Sequence, residues 1–252
     1  MSGRYADRSV LITGAGSGIG RATALRVAEE GGAVACADID EGTLKETLEL
    51  VAEAGGRAVG FPCNVMQRES VDAAVAGAVE ALGGLQAVFN VAGTGGLAHT
   101  EQVSEADWNR ILGVNLSGTF FVCQAALPHL LANRRSVIAN VASVAGLNGQ
   151  AYSAAYCASK FGVVGLTKAL AVEYVKRGLR VNCVCPAGVR TPLMAHFLPP
   201  EDADLDLVRR FGLVNKFTHP EEVAAALAYL GSDDARSING VALAMDFGNT
   251  AS

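Results

Sequence analysis

The amino-acid sequence predicts one α/β domain, spanning residues 1–252, built on a doubly wound parallel sheet of seven strands. The first observation is the length, since 252 residues fit one domain better than two. The second is a series of short, nearly continuous apolar runs, typical of parallel strands buried on both faces. The third is that helix-like segments, without linkers or repeats, separate these runs. The predicted strands are residues 9–13, 33–38, 57–61, 85–90, 136–141, 179–184 and 240–244.

A glycine-rich turn joins the first predicted strand to the first predicted helix. It carries Gly14, Ser17, Gly18, Ile19 and Gly20. Such a turn lets the backbone approach a pyrophosphate, whose charge is met by the free N–H groups of the helix N-terminus. We therefore expect a dinucleotide at the carboxyl end of this strand. The spacing of the turn, Gly-x-x-x-Gly-x-Gly, differs from the Gly-x-Gly-x-x-Gly of ordinary dinucleotide folds.

The second predicted strand ends in Asp38, 18 residues after Gly20, where a carboxylate can bind the ribose hydroxyls of an adenosine. The same carboxylate would repel the 2′-phosphate of NADP. Ile39 rather than a basic residue follows it, and the glycine-rich turn carries Ser17. These residues favour NAD as the cofactor; the alternative is that Asp38 serves only as a turn former.

The third and fourth predicted strands end in polar residues at the same edge of the sheet. Asn64 and Val65 follow the third strand, and Asn64 has an acceptor oxygen for adenine. Asn90 closes the fourth strand, with Ala92 and Gly93 shortly after it. Because ligands of doubly wound sheets bind at the carboxyl ends of the strands, we expect the cofactor there.

Three polar residues with fixed spacing follow the fifth predicted strand: Ser143, then Tyr156 thirteen residues on, then Lys160 four residues later. On a helix, Tyr156 and Lys160 share one face. A tyrosine titrates near pH ~10, so proton exchange near neutrality requires about 4 kcal/mol of phenolate stabilisation. An ammonium about 4 Å away supplies a Coulomb attraction on the order of 4 kcal/mol. The spacing predicts that Lys160 lowers the pKa of Tyr156; a chance pairing of exposed side chains is the alternative.

These motifs together resemble those of the short-chain dehydrogenase/reductase family over nearly the whole chain. Besides the glycine-rich turn and the serine, tyrosine and lysine set, three further motifs stand in the family's order. They are residues 90–93 (Asn-Val-Ala-Gly), 114–116 (Val-Asn-Leu) and 186–191 (Pro-Ala-Gly-Val-Arg-Thr). The sequence departs from the family pattern at Val91, Ala187 and Asn64, where asparagine, glycine and aspartate are usual.

The resemblance implies a Rossmann fold and catalytic roles for four residues. Tyr156 would exchange a proton with the substrate oxygen while hydride passes between substrate and nicotinamide. Lys160 would lower the tyrosine pKa and hold the nicotinamide ribose, Ser143 would donate to the substrate carbonyl, and Asn115 would hold a water linked to solvent. For Asn115 the alternative is a helix-internal asparagine bonded to its own backbone. The implied cofactor residues are Gly14, Ser17, Gly18, Ile19, Gly20, Asp38, Ile39, Asn64, Val65, Asn90, Ala92, Gly93, Tyr156, Lys160, Pro186, Gly188, Val189 and Thr191.

The segment that sets substrate specificity in the family corresponds here to a predicted lid at about residues 190–215. Its apolar side chains favour a secondary alcohol or ketone of moderate size over a sugar or a free acid. We expect His196 either to contact a polar group of the substrate or to lie on the surface. The apolar residues expected around the substrate are Met194, Phe197, Leu198, Phe211 and Leu213 from the lid, and Val144, Leu147 and Tyr152 from the opposite side.

Composition argues against several other classes of protein. A net charge of −5 and a pI near 5.4 disfavour nucleic acid or an anionic membrane as a partner. No uninterrupted apolar run is long enough to span a bilayer, and the first eight residues lack the apolar core of a signal peptide, so we expect a cytoplasmic location. The six cysteines and four histidines show no zinc-ligand spacing, so no metal is expected.

Two predicted helical segments are apolar on more than one face, which indicates a partner besides the sheet. They cover residues 107–131 and 161–172, and small residues such as Gly162 and Gly165 would let neighbouring helices approach closely. Members of the family commonly pair through these helices, so we expect a homotetramer. Fuller burial within one subunit is the alternative.

The sequence leaves three functions open. The first is an NAD-dependent oxidoreductase of secondary alcohols or ketones, with Tyr156 as general acid and base. The second is an NADPH-dependent reductase of the 3-oxoacyl type, which Asp38 opposes. The third is a dinucleotide-binding regulatory protein without turnover, which the intact catalytic set opposes.

Overall fold

Seven strands form one sheet in the computed structural model, which describes residues 3–133, 135–212 and 216–251. In chain order they are β1 (Ser9–Thr13), β2 (Ala33–Asp38), β3 (Arg57–Pro62), β4 (Ala87–Asn90), β5 (Ser136–Val141), β6 (Leu179–Pro186) and β7 (Ala242–Met245). All neighbouring pairs are parallel, in the order β3-β2-β1-β4-β5-β6-β7, which confirms the predicted doubly wound sheet. Strand β4 begins later and β6 ends later than the sequence predicts.

Helices cover both faces of this sheet. Within the described residues they are α1 (Gly18–Glu29), α2 (Glu41–Glu53), α3 (Arg68–Leu82), α4 (Glu105–Leu112), α5 (Thr119–Leu131), α6 (Ala154–Tyr174), α7 (Leu205–Arg209) and α8 (Pro220–Gly231). Helices α1, α2 and α8 pack on one face, and α3, α5 and α6 on the other. The three layers are those expected when helical crossovers connect parallel strands.

Alternate side chains of each strand enter two separate hydrophobic cores. In β1, Val10 and Ile12 belong to the core beneath α1 and α8, whereas Leu11 belongs to the core beneath α3 and α5. All three are at most 1% exposed. Each such buried side chain contributes about 2 kcal/mol to stability. The apolar run of β1 is therefore nearly continuous because neither of its faces meets solvent, whereas the edge strands β3 and β7 are only partly buried.

The chain reverses its winding direction at β1, which lies between β2 and β4. Thr13, the last residue of β1, pairs with Ala37 on one side and Asn90 on the other. The loops after β1 and β4 lead to helices on opposite faces, so a crevice opens between them. The Thr13 hydroxyl oxygen accepts hydrogen bonds from the N–H groups of Val91 at 3.1 Å and Ala92 at 3.3 Å, which fixes one wall of this crevice.

A π-helical turn, Gly113–Gly118, joins α4 and α5 into one helical segment. On length and composition this segment, Glu105–Leu131, could cross a membrane, with a mean hydropathy of 1.4. The sequence does not predict that result, because polar residues such as Asn115 and Gln124 interrupt the apolar run. Core helices of soluble proteins meet the same requirement, and here α5 packs against β4 and β5. The turn contains Asn115, and π-helical turns are frequent at functional sites.

Candidate active site

The glycine-rich turn after β1 has a shape that requires glycine. Gly14 has a φ of +66°, and a Cβ there would lie 2.8 Å from backbone atoms of Ala92. A Cβ on Gly20 would lie 1.9 Å from the carbonyl oxygen of Gly14. Ser17 stands at the N-cap of α1 but makes no side-chain capping hydrogen bond. The free N–H groups at the start of α1 are therefore available to a phosphate.

A cavity of about 310 Å³ opens beside this turn, along the carboxyl ends of the strands. The predicted cofactor residues that line it are Gly14, Ser17, Gly18, Ile19, Asp38, Ile39, Asn64, Val65, Ala92, Gly93 and Thr191. The cavity is also lined by six residues that were not predicted to bind the cofactor: Cys63, Val91, Thr94, Val114, Pro192 and Leu193. Most of these are chain neighbours of assigned site residues, and that adjacency is the signal that could have found them.

Asp38 has a carboxylate whose position is fixed by the backbone. Its Oδ2 accepts a hydrogen bond from the N–H of Gly16 at 2.8 Å, and its Oδ1 accepts one from the N–H of Asp40 at 3.0 Å. Ile39 beside it is 69% exposed, which leaves an apolar surface on the cavity wall. A carboxylate with free lone pairs next to an apolar surface suits the ribose and adenine of a dinucleotide.

The remaining predicted cofactor residues do not line this cavity: Gly20, Asn90, Tyr156, Lys160, Pro186, Gly188 and Val189. The Asn90 side chain is buried and donates to Asn140 Oδ1 at 2.9 Å and to Cys123 Sγ at 3.3 Å. It therefore ties β4 to its neighbours instead of reaching the cavity, because a strand-end side chain can point into the sheet layers as well as out of them. The segment after β6 is fixed through its backbone, because the Gly188 carbonyl accepts a hydrogen bond from the N–H of Thr218 at 2.9 Å.

Tyr156 and Lys160 lie one turn apart on the buried face of α6, and Ser143 follows β5 beside them. Lys160 Nζ lies over the Tyr156 ring, 5.6 Å from its centre, and donates to the carbonyl oxygen of Val141 at 2.9 Å. Ser143 Oγ accepts a hydrogen bond from the N–H of Ala145 at 3.1 Å. The structure thus brings together the three side chains that the spacing selected.

Burial controls the ionisation of Tyr156 and Lys160. It raises the pKa of Tyr156 to about 12, and a hydrogen bond with Ser143 opposes the rise only in part. It lowers the pKa of Lys160 to about 8. The predicted lowering of the tyrosine pKa is therefore wrong for these side chains by themselves. The physical reason is that both charged forms lose water, and Lys160 lies over the ring, where desolvation outweighs its attraction for a phenolate.

Asn115 connects three elements through its side-chain amide. Its Oδ1 accepts from the N–H of Thr94 at 2.8 Å, and its Nδ2 donates to the Thr94 carbonyl and to Ser159 Oγ, both at 2.9 Å. Its own carbonyl accepts from the hydroxyl of Thr119 at 2.7 Å. The amide is therefore not bonded to its own helix backbone. It holds the loop after β4 against α6, next to Tyr156 and its neighbours.

The predicted lid covers the substrate side of the site. Phe197 packs edge-to-face against Tyr156, with ring centres 5.0 Å apart and an angle of 78° between the rings. Behind it lies Gly95, where a Cβ would sit 2.4 Å from Phe197 Cζ. One lid prediction is wrong, since Leu198 is 72% exposed. His196 is exposed, which agrees with its interpretation as a surface residue, and Leu213 lies outside the described residues.

Tyr152, expected as part of an apolar wall, instead binds the lid through its polar end. Its hydroxyl accepts from the N–H of Asp204 at 2.8 Å. The ring of His99 packs edge-on against it at 5.0 Å, and His99 Nε2 lies 2.9 Å from Asp202 Oδ1. No local sequence pattern predicts this contact, because the residues that it joins lie 52 positions apart in the chain.

Comparisons with known proteins identify the family of this chain. The sequence matches the short chain dehydrogenase family over residues 8–202. It is 39% identical to the cyclohexanol dehydrogenase of Acinetobacter sp. (strain SE19), over 98% of this chain and 96% of that protein. It is also 39% identical to the meso-2,3-butanediol dehydrogenase of Serratia marcescens, over 99% of this chain and 97% of that protein.

A solved structure gives the same result at the level of the fold. The short chain dehydrogenase from Mycobacterium paratuberculosis bound to NAD superposes with a TM-score of 0.92 at 27% identity, covering 99% of this chain and 100% of that chain. Sequence and fold match over essentially the full length. By its sequence and its fold, this chain therefore belongs to the short-chain dehydrogenase/reductase family.

Proposed function

We propose that this oxidoreductase transfers a hydride between NAD and a secondary alcohol or ketone of moderate size, with Tyr156 as general acid and base. The observation that carries the proposal is the convergence of Tyr156, Lys160 and Ser143 at the sheet edge that also holds the dinucleotide cavity. Cyclohexanol and meso-2,3-butanediol, for which the two relatives are named, are both secondary alcohols. Their shared chemistry supports the substrate class.

Two hydroxyl groups serve the substrate oxygen in this mechanism. Tyr156 accepts the alcohol proton as hydride leaves the carbon, and it returns a proton to the ketone oxygen in the reverse direction. Ser143 donates a hydrogen bond to the same oxygen and stabilises the charge that develops on it. When bound, NAD supplies the hydride acceptor, and the positive charge of its nicotinamide favours the phenolate form of Tyr156.

Lys160 and Asn115 support this pair. One N–H of the Lys160 ammonium is bonded to Val141, which leaves its other donors for the ribose hydroxyls. With a pKa of about 8, Lys160 carries its charge at neutral pH. Asn115 holds the loop at Thr94 in place, and its carbonyl keeps a second lone pair for a water molecule.

The preference for NAD rests on charge. Asp38 lines the cavity, and none of the described residues that line it is a lysine or an arginine. Arg21, which follows the glycine-rich turn in α1, donates to the Gly16 and Thr43 carbonyls and pairs with Glu46 at 2.8 Å. A 2′-phosphate would therefore meet a carboxylate without a free cation to offset it.

Turnover with the two cofactors tests the proposal. Cyclohexanol and 2,3-butanediol are oxidised with NAD⁺ or NADP⁺, and the absorbance of the reduced nicotinamide is followed. We expect kcat/KM to be about tenfold or more higher with NAD⁺. A preference for NADP⁺ would contradict the argument from Asp38, and no turnover of any secondary alcohol would contradict the activity itself.

We also propose that the protein is a homotetramer. Only 39% of the most apolar stretch of Glu105–Leu131 is buried within the chain. Large apolar side chains on α4, α5 and α6 remain exposed: Trp108 40%, Phe120 41%, Phe161 47% and Val172 78%. Such surfaces favour pairing between identical copies. Light scattering coupled to size-exclusion chromatography should give a tetramer mass, and a monomer at micromolar concentration would contradict the proposal.

A further inference from the structure

A second cavity opens at the edge of the sheet opposite the dinucleotide cavity. Its volume is about 470 Å³, and it lies where β5 and β6 begin, since their first residues, Ser136 and Leu179, line it. Strand β5 has six residues, which corresponds to about 20 Å between its two ends. The two cavities are therefore separate, and none of the residues placed in the active site lines the second one.

The charged side chains of this second cavity are mainly basic. Among the described residues that line it, three are arginines and one is an aspartate, namely Arg135, Arg180, Arg236 and Asp233. This lining therefore carries a charge of +2, whereas the whole chain carries a net charge of −5. A basic cavity in an acidic protein attracts anions locally, against the field of the molecule as a whole.

Asp233 neutralises only part of the positive charge. Its Oδ1 accepts a hydrogen bond from Arg8 Nη2 at 2.8 Å, and its Oδ2 lies 3.3 Å from Arg135 Nη1. One carboxylate is thus shared by two arginines. The Arg135 side chain is 80% exposed, and an exposed ion pair of this length contributes little to stability. The Arg135 guanidinium is therefore available to a second anion.

Arg180 contributes a charge that is partly removed from water. Its guanidinium donates three hydrogen bonds of 2.8 to 3.2 Å to backbone carbonyls, two of them those of Leu230 and Ser232 at the C-terminal end of α8. Burial, and next the charge of Arg8, lower the pKa of Arg180, and the attraction of Asp233 opposes them only in part. Three of its five N–H donors are used, which leaves two for a ligand.

Arg236 has a guanidinium that forms no hydrogen bond or ion pair with any residue that the structure describes. Its backbone is nevertheless fixed, because its N–H donates to the Asp233 carbonyl at 3.2 Å at the end of the short turn Asp233–Ala235. Ser237, the next residue, also lines the cavity, and its hydroxyl has no partner within the same described residues. Unused donors of two kinds therefore stand on one wall.

We propose that this cavity binds a phosphate monoester, a small anion whose phosphate group carries close to two negative charges. The charge of such a group matches the +2 of the lining, and guanidinium groups bind phosphate through paired hydrogen bonds. The cavity is larger than a phosphate ion and has the size of a small-molecule site, so the ligand also has an organic part. Val175, an exposed apolar residue of the lining, contacts that part. This site goes beyond the proposed oxidoreductase activity and does not depend on it.

Calorimetric titration with phenyl phosphate tests the proposal. The titration is run at fixed ionic strength, with and without saturating NADH. We expect saturable binding that NADH changes by less than about twofold, because the cofactor cavity lies at the other edge of the sheet. Benzoate has the same ring with a single charge and should bind about tenfold or more weakly. Absence of saturable binding, equal affinity for benzoate, or loss of binding in the presence of NADH would each overturn the proposal.

Arginine variants locate the binding site. Arg236→Gln removes a guanidinium without a described partner, so it should leave the melting temperature of the free protein unchanged and raise the dissociation constant of phenyl phosphate about tenfold. Arg57→Gln is the matched control, because Arg57 begins β3 at the far end of the same sheet edge and loses the same charge. Its dissociation constant should stay within about twofold of the wild type. An unchanged constant in Arg236→Gln, or equal weakening in both variants, would overturn the assignment of the site.

Arg135→Gln gives a second measurement at the other side of Asp233. Because the exposed pair with Asp233 is weak, this variant should also keep its fold and bind phenyl phosphate several-fold more weakly. Wild-type affinity in Arg135→Gln would contradict the role given to its guanidinium. None of these titrations depends on turnover, so a protein that oxidises no alcohol could still bind phenyl phosphate, and that result would contradict only the proposed function.

Discussion

The two halves of the active site lie at the same sheet edge but are built in opposite ways. The dinucleotide cavity is an open space of about 310 Å³ whose shape depends on backbone, above all on Gly14 and Gly18 with positive φ. The substrate side is filled by the Phe197 side chain against Tyr156. Backbone shape is dictated by nearby sequence, whereas the contact between Phe197 and Tyr156 joins residues far apart in the chain. The first half is therefore constant in form, and the second can change with one side chain.

Charge also separates the two halves. On the cofactor side, Asp38 is fixed by backbone N–H groups and lies at the surface of the cavity. On the catalytic side, burial shifts the pKa of Tyr156 up and that of Lys160 down. Keeping Lys160 charged at neutral pH therefore costs stability. Four variants test how independent the halves are.

The largest effect is expected from Tyr156→Phe, which removes the transferable proton and little else. We expect kcat to fall by about 10³-fold, while the dissociation constant of NADH stays within about twofold. Steady-state kinetics and NADH fluorescence titration measure the two quantities. Tyr229→Phe, on the exposed surface of α8, is the control. A parallel loss of NADH affinity in Tyr156→Phe would show that the two halves are not separable.

The next effect is a change of cofactor preference in Asp38→Ala combined with Ile39→Arg. The double change removes a repulsive carboxylate and adds a guanidinium that can bind a 2′-phosphate. The ratio of kcat/KM for NAD⁺ to that for NADP⁺ should fall by about 10²-fold, corresponding to a few kcal/mol. Glu41→Gln, a neighbouring charge outside the cavity wall, should leave the ratio unchanged. An unaltered ratio in the double variant would show that Asp38 does not select the cofactor.

Gly14→Ala tests whether backbone shape alone builds the cofactor half. A Cβ at Gly14 faces both an unfavourable φ and a 2.8 Å approach to Ala92. NADH should bind about tenfold more weakly, since the turn must shift to relieve the contact. Gly149→Ala is the matched control, because a Cβ there meets nothing within 4 Å and its φ is not positive; it should leave NADH affinity unchanged. Unchanged NADH affinity in Gly14→Ala would refute the argument.

The smallest effect is a pH-dependent change in stability at Lys160. The folded protein loses this proton near pH 8, whereas the unfolded chain keeps it up to the ordinary pKa of 10.5. Between these values the unfolded chain binds more protons, so rising pH favours the folded state. Lys160→Met removes this contribution. The melting temperature of the wild type minus that of the variant should therefore rise by a few degrees between pH 7 and pH 10. A difference that falls with pH would show that Lys160 is not desolvated.

What the sequence could predict follows from the range of the interactions. The glycine-rich turn, Asp38 and the spacing of Tyr156 and Lys160 are local, and each reappears in the structure at its expected strand or helix. The parallel sheet was predictable for the same reason, because nearly continuous apolar runs indicate strands that are buried on both faces. The position of Asn115 within a helical segment was also accessible, although its π-helical turn was not.

What the sequence could not predict depends on three-dimensional surroundings. The direction of the Asn90 side chain depends on Asn140, fifty residues away, which accepts its hydrogen bond. The pKa of Tyr156 depends on how deeply the site is buried, and a spacing of four residues carries no information about depth. The bond between Tyr152 and the lid joins residues 52 apart. The direction of a polar side chain, the depth of its burial and its long-range contacts are properties that no local pattern encodes.

The glycine at position 95 also limits how this enzyme can evolve. Gly95 lies against both Phe197 and Tyr156, so a larger residue there would displace one of the two rings. Phe197 lies in a more exposed segment, since Ala195, His196 and Leu198 are exposed. Substitutions should therefore be tolerated at position 197 while position 95 stays glycine. In a library that randomises both positions, selection for folded protein should recover several residues at 197, each paired with an unchanged glycine.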